Sequence, residues 1–522
     1  MNLQLTYAAH SCPASIGLSF TPAASKFSTL AYWNLISHRV RAAAVFVAVV
    51  TLLVSPACRQ PPRVQASLVS EYIHALYGAI RVERLSPPVA SRLTAYAATA
   101  LYAGLASVSS ALPPLDRVLR GAPALPRAAT GVPHDATLVA VAAERLVLES
   151  LMREALPTTR AALGRLADSL VTARVALGVT DSVRLRSAML GRGIGAAIVE
   201  WANRDGFAAT RGRLYSPPVG AGLWINDAPA SSFATQSLSG ASEFVAIDNP
   251  ANQQRAANTS DRALILSRPK SATVQTMPAV NMAGASEPYW RESRPFVLAN
   301  WNECGIADPP AYSTDSASLL YQNARAVYDT RAALTAPQRT TAYFWADNAG
   351  ETGTPVGHWL SIASQMISER SLSADDAVRL MLATAVAQAD AFIAAWGYKY
   401  QYNLLRPRSY IRRVIDSTWE PLIVTPPFPE YPSAHSTQSS AAAAAIVGVI
   451  GESAFSDSTS ISIGHAVRRF TSFRAASEEA GMSRIYGGIH FPVGNRAGLA
   501  LGRCIGERVA ARIRETSSND RR

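Results

Sequence analysis

Lysine is nearly missing from this chain. Of its 49 basic residues only three are lysine, at positions 26, 270 and 399, and the rest are arginine. Alongside abundant alanine this points to a GC-rich genome in which Arg replaces Lys wherever either serves. A retained lysine then marks a place where the two differ: an ammonium is a point charge that sits against one oxygen, while guanidinium is a planar fork suited to two. Long apolar runs are missing as well. The chain lacks the several spans of about 20 apolar residues that an integral membrane protein needs. Charged residues make up only 16% against 48% hydrophobic, a globular balance rather than a disordered one. The net charge of +12 comes from dispersed arginines, with no nucleic-acid motif and no basic tail. This fits a basic enzyme with an anion-attracting field and excludes a DNA or RNA binder.

Cysteine is scarce, four residues in all, and its placement bears on export. His38-Arg39-Val40-Arg41 precedes the apolar run Ala42 to Val54, then Ser55-Pro56-Ala57 and Cys58, the pattern of a targeting segment over residues 1–57. The basic lead-in arrives late, so residues 1–36 read as a misannotated upstream start. Cleavage after Ala57 or lipidation of Cys58 are the alternatives, the second weakened by Ser55 at the third position before it. Losing this segment removes Lys26, Arg39 and Arg41 and no acid, so +12 falls to +9. Cys304 and Cys504 remain as a pair that an oxidising compartment would allow to join. The expected location is periplasmic or secreted.

Periodicity is helical almost throughout. Val69, Tyr72, Ile73, Leu76, Tyr77 and Ile80 mark one amphipathic helix, and Ser86-Pro87-Pro88 opens another through Tyr102. Further helices are expected over 138–156, 158–177 and 181–204. Between 206 and 313 the pattern fails, which predicts a long connection folded over the bundle. Helices resume near 315. The expected fold is an all-α large helical bundle with this irregular loop-rich insertion. It divides into 58–313 and a C-terminal anion-binding region, 314–515, followed by a mobile tail, 516–522.

Three short runs carry the chemistry: Lys399-x6-Arg406-Pro407, Pro432-Ser433-Ala434-His435 and Ser483-Arg484-x5-His490. One Lys, two Arg, a Ser and two His are the inventory for holding a tetrahedral oxyanion. Ser373-x-x-Asp376 opens a long helix expected over Ser373 to Asn403, and its persistence to Pro407 would put Lys399 and Arg406 on one face, seven residues apart. Pro407 would end it. After a Pro-rich stretch, Ser433 opens a second helix whose free N-terminal amides favour an anion. Gly487-Gly488 should break the third run's helix so that Arg484 and His490 turn toward one point. His358 and His465 fall in no motif and read as packing or surface residues.

These runs resemble the signature of the vanadium-dependent haloperoxidases and of the type 2 phosphatidic acid phosphatase superfamily to which they belong. The resemblance implies oxyanion binding by Lys399, Arg406, Arg484, Ser433 and the Ala434 amide. It implies Lys399 as the catalytic cation that polarises peroxide and His490 as axial ligand to vanadium, or as nucleophile toward a phosphate ester, with His435 as acid–base group. Asp347 resembles the carboxylate that pairs with the third-motif arginine, here Arg484, while Trp396 and Phe428 match pocket-lining positions. The implied cofactor is vanadate, with phosphate able to occupy the site, and the implied partners are hydrogen peroxide with a halide or small organic substrate. Two positions depart from the pattern. Ala434 stands where Gly is usual, and Gly494 stands where the phosphatases carry an acid four residues after the histidine, so no carboxylate from that position orients His490. The expected activity is halide oxidation. The alternatives are a soluble acid phosphatase and an oxyanion binder whose chemistry has lapsed.

Overall fold

The computed structural model describes residues 64–211, 213–226 and 285–519, with side chains to residue 514. The expected export segment and Cys58 lie outside the described residues, as do 227–284 and 520–522.

The N-terminal helices follow the apolar spacing. α1 (Ser67–Glu83) buries Leu68, Val69, Tyr72, Ile73, Leu76 and Ile80, and Arg84 stops it in a left-handed conformation, φ 52°. α2 (Pro87–Ala106) starts on Pro87, whose absent N–H costs nothing in a first turn. Its alanine-rich surface is buried almost all round. α3 (Ala136–Leu151) is capped by Asp135, which accepts from the Leu138 N–H at 2.9 Å. The same carboxylate pairs at 2.6 Å with buried Arg174 of α4 (Pro157–Ala176). α3 stops short of the expected residue 156 because Pro157 opens α4 and holds Leu156 extended, ψ 141°. On α5 (Asp181–Asn203), Gly191 and Gly195 lie against the backbone of α3, where a Cβ on Gly191 would fall 2.3 Å from the Val139 carbonyl.

The C-terminal helices are α6 (Leu319–Ala332), α7 (Ala336–Phe344), α8 (Thr354–Glu369), α9 (Ala374–Tyr402), α10 (Pro407–Val414), α11 (Ala434–Ile450), α12 (Phe473–Tyr486) and α13 (Pro492–Asn519). α9 is the spine. Ser373 caps it by accepting from the Asp376 N–H at 3.1 Å, and it packs on α2 as well as on α11 and α13. One buried cluster therefore runs from Leu68 to Ile513. Among the described residues α9 is the one helix long and apolar enough to cross a membrane, and it is buried inside the fold. α13 meets α11 through Gly498, Gly502 and Gly506, whose Cβ atoms would fall 2.5, 2.0 and 2.3 Å from the carbonyls of Ser433, Thr437 and Ala441. Spaced four apart, these glycines bring the two backbones closer than side chains would permit. α13 also runs through residues 516–519, expected as tail.

Two further features differ from expectation. α9 does not persist to Pro407: it ends at Tyr402, Asn403 turns left-handed at φ 47°, and Arg406 is extended, φ −79° and ψ 158°. Pro407 opens α10 instead of closing α9, since proline suits a first helical position and forces its predecessor out of the helical region. Two strands also stand within the helical stretch, β1 (Phe455–Asp457) and β2 (Arg468–Phe470), antiparallel with Phe455 opposite Phe470. Three residues each are too few to show alternation.

The described parts of the irregular segment fold over the site. Asp390 of α9 accepts from the Phe296, Val297 and Leu298 amides at 2.7, 2.9 and 3.0 Å. Trp224 N–H donates to the Asn403 carbonyl at 2.7 Å, and a disulfide joins Cys304 to Cys504 of α13.

Candidate functional site

The three runs converge, by a route other than a shared helical face. Lys399 sits in the last turn of α9, fully buried, and its ammonium donates to the carbonyls of Pro429, Glu430 and Pro432 at 2.9, 3.0 and 2.6 Å. Burial, helped by Arg406, draws its pKa well below that of a free lysine. Three carbonyl acceptors nevertheless need three N–H donors, which only the charged form supplies. Lys399 thus holds the Pro-rich loop that leads to α11. Arg406 reaches the same loop from the head of α10. Its Nε donates to the Phe428 carbonyl at 2.7 Å, and its Nη1 donates to the Ile489 carbonyl at 2.9 Å and to His490 Nε2 at 3.1 Å. The Phe428 ring packs on both cations, 5.0 Å from Lys399 Nζ and 4.7 Å from Arg406 Cζ, and Trp396 lies 4.9 Å behind it. The indole of Trp396 donates to the Ser286 carbonyl at 3.0 Å, so the irregular segment forms part of this wall.

Ser433 is the N-cap of α11 and accepts from the Ser436 N–H at 3.3 Å and the Ser436 hydroxyl at 2.7 Å. Its own amide donates to the Gly494 carbonyl at 3.0 Å, tying the head of α11, where Ala434 occupies the first turn, to the head of α13. α12 ends at Tyr486, and Gly488 takes φ 77°, the break that delivers His490. Burial, reinforced by the cations Arg406, Lys399 and Arg484, holds the His490 pKa well below the usual imidazole range. Its Nδ1 lies 2.9 Å from Glu430 Oε1. A carboxylate there can only accept, so Nδ1 carries the proton and the Nε2 lone pair faces Arg406.

Glu430 is the residue that sequence reasoning missed. The absence of an acid at position 494 implied an unoriented histidine, yet a carboxylate from the Pro-rich loop does the orienting. Burial pushes Glu430 up to about 7, against the pull of Lys399 and Arg406. The signal in the sequence was an acid inside Pro-Phe-Pro-Glu-Tyr-Pro, a setting with no other reason for charge.

His435 Nε2 stands 3.5 Å from Asp347 Oδ2. Burial and then Arg484 push its pKa down to about 4, with Asp347 opposing, so it is a neutral base at ordinary pH. Asp347 follows α7 with φ 49° and makes its shortest contact with His358, whose Nδ1 is 2.8 Å from Asp347 Oδ1 and whose Nε2 is 2.7 Å from Asp457 Oδ2. His358 is therefore fully buried between two carboxylates and stacked on Trp345, with ring centroids 4.6 Å apart. Burial opposes its charge, but the two aspartates raise its pKa to about 10. Burial would likewise raise Asp347, and the His358 cation more than reverses it, holding the carboxyl below its ordinary range. Arg484 is not paired with Asp347. Its guanidinium donates to the Trp345 and Ala342 carbonyls and to Ser483 Oγ, while Asp347 acts on it only through its charge. His465 is half-buried with its ring edge on Phe344.

The all-α fold, with two helix sets on one spine, matches that of the vanadium haloperoxidases. Residues 379–519 match the family model of the VCPO second helical-bundle domain. The structure is similar to that of a bacterial vanadium-dependent iodoperoxidase, at 29% identity and TM-score 0.70, over 87% of this chain and 98% of the other. It shares its fold with a holo-type bacterial vanadium-dependent chloroperoxidase at 15% identity and TM-score 0.59, over 88% and 99%. No curated protein matches by sequence.

Proposed function

We propose that the chain is a vanadate-dependent haloperoxidase that oxidises halide with hydrogen peroxide. The observation that carries this is His490, held by Glu430 on one nitrogen so that the other presents a lone pair among buried cations. That donor set fits vanadate: one neutral imidazole nitrogen, the guanidinium groups of Arg406 and Arg484, the hydroxyl of Ser433 and the first-turn amide of Ala434. Bound there, vanadate supplies a Lewis acid that activates peroxide. Lys399 fixes the loop and contributes its charge without reorganising. His435, neutral above about pH 4, removes a proton from peroxide, and Asp347 stabilises the imidazolium that results. Phe428 and Trp396 exclude water from the Lys399 side. Halide oxidation in particular is supported by the 29% likeness to the iodoperoxidase, with Trp396 and Phe428 in contact at the site.

One observation favours a second reading, an acid phosphatase with His490 as nucleophile. The missing acid at 494 weighed against it, and Glu430 now supplies the orientation such a nucleophile needs. Reconstitution separates the two. A haloperoxidase gains peroxide-dependent iodide or bromide oxidation when orthovanadate is added, and phosphate competes. A phosphatase turns over phosphate esters without vanadate and is inhibited by it. A chain doing neither while binding oxyanion is the lapsed binder. We also propose export, supported by the Cys304–Cys504 disulfide. A native chain isolated from the cytoplasm with its first residue intact overturns that.

A further inference from the structure

The glycine at position 494 has a neighbour that explains it. Gly494 lies in the first turn of α13, it is not among the glycines with positive φ, and glycine is a poor helix former. Its backbone does not ask for glycine. What does is the Glu430 carboxyl: a Cβ on residue 494 would fall 2.3 Å from Oε1, 2.7 Å from Oε2 and 2.8 Å from the carboxyl carbon. The Glu430 head group therefore occupies the space that a side chain at 494 would need. From there Oε1 accepts from His490 Nδ1 and from the Phe491 amide, each at 2.9 Å.

We infer that Glu430 is the positioning acid of His490, supplied by the Pro-rich loop before the second run instead of from position 494, and that Gly494 is glycine in order to admit it. That placement has a mechanical consequence. An acid at 494 would belong to the segment that carries His490, whereas Glu430 belongs to the loop that Lys399 clamps, and its own carbonyl is one of the clamped groups. The amide of Ser433, three residues on, donates to the Gly494 carbonyl. Lys399, the head of α11 and His490 are thus coupled through one residue, so disturbance of the Lys399 clamp reaches the tautomer of His490.

The inference rests on His490 being the oxyanion-site histidine, and its test separates the two ideas. The full-length protein, without added vanadate, is labelled on histidine with ¹⁵N, and His490 is assigned by its loss in His490→Gln. Wild type shows a single Nδ1–H tautomer. Glu430→Ala, in which the Arg406 contact to Nε2 is left as the one interaction favouring Nδ1–H, gains Nε2–H tautomer and binds orthovanadate about 10- to 100-fold more weakly by equilibrium dialysis. Gly494→Asp alone is as weak as Glu430→Ala or weaker, because two carboxyls then contest one space. The double variant Glu430→Ala/Gly494→Asp returns to the Nδ1–H tautomer and recovers most of the affinity, a reversal of sign that a merely structural role does not produce. If Glu430→Ala fails to fold, Glu430→Gln keeps the volume and one acceptor, and is expected to hold the tautomer while weakening vanadate binding about tenfold. Wild-type tautomer and affinity in Glu430→Ala overturn the inference, as does a Gly494→Asp change equally harmful in both backgrounds, or wild-type affinity in Glu430→Gln. If wild type binds no vanadate while the tautomers behave as described, the proposed function falls and the role of Glu430 stands.

Discussion

Two glutamates, one in each set of helices, are equally buried and could hardly be treated more differently. Glu144 of α3 is 0% exposed, and among the described residues neither carboxylate oxygen has a hydrogen-bond partner; nor does the Tyr72 hydroxyl, whose pKa burial and then Glu144 raise. Burial alone raises its pKa well above the usual value. Glu430 is as deeply buried, yet it meets an imidazole, a backbone amide and two nearby cations. Burial makes a carboxyl expensive in both places. In the first it resists ionisation, and in the second one of its oxygens aims a histidine. The difference lies in the partners.

The comparison can be broken most severely at His490. His490→Ala should abolish vanadate binding and turnover while the helical signal in circular dichroism stays unchanged; vanadate affinity equal to wild type by dialysis would overturn its role as ligand. Next comes His358, the buried charge with a partner on each side. His358→Gln strands two carboxylates and should cost about 3–5 kcal/mol in urea unfolding at pH 6. The pH dependence has a definite sign. A histidine raised to about 10 in the fold contributes fully below its unfolded value near 6.5 and loses that contribution as pH climbs toward 10. Asp347 and Asp457, held low, contribute above their unfolded value near 4 and lose it in acid. Wild type should therefore weaken between pH 6.5 and about 10, and His358→Gln should lack that alkaline limb; a parallel limb in both proteins would refute the pairing.

Lys399 sharpens the contrast at the level of rate. Lys399→Ala should lower turnover about 10²- to 10³-fold, and Lys399→Arg should do little better, because a planar fork cannot meet three carbonyls spread around one nitrogen. Near-normal turnover in the arginine variant would mean that only the charge matters. The smallest effect should come from Glu144. Glu144→Met should stabilise the protein by about 1–3 kcal/mol, with a larger gain at pH 8 than at pH 4, since the folded state resists deprotonation that the unfolded chain undergoes above about 4.3. A loss at both pH values would show that the carboxyl has a partner after all.

The helices were legible wherever one local rule governed them. Ser373 caps α9, Ser433 caps α11, Gly488 breaks the third run, and Pro87 opens its helix, because caps and breakers act within a few residues. The convergence of Lys399 and Arg406 was foreseen from a helix that does not extend that far; a left-handed Asn403 and an extended Arg406 deliver it instead. What escaped were pairings across long separations. Glu430 and His490 are 60 residues apart, and His358 and Asp457 are 99. A lone histidine in Thr-Pro-Val-Gly-His-Trp-Leu reads as packing until the opposing aspartate of β1 is in view. One of the arguments against a phosphatase was drawn from Gly494, and that argument alone loses its force for the same reason: what fills the space left by an absent side chain is not a local property.

The seam between α11 and α13 gives the site a division of labour. Gly498, Gly502 and Gly506 bring the main chain of α13 against the carbonyls of Ser433, Thr437 and Ala441, so at these three positions no side chain of α13 enters the dimension that fixes the serine of the second run opposite the histidine of the third. Every substitution in that seam adds volume and none can compensate for another. Side chains lining the pocket do not set that dimension. Reactivity can therefore drift by exchange of side chains while the frame that holds them keeps its measure, and an acid can come from the Pro-rich loop instead of position 494 without the histidine it serves losing its place.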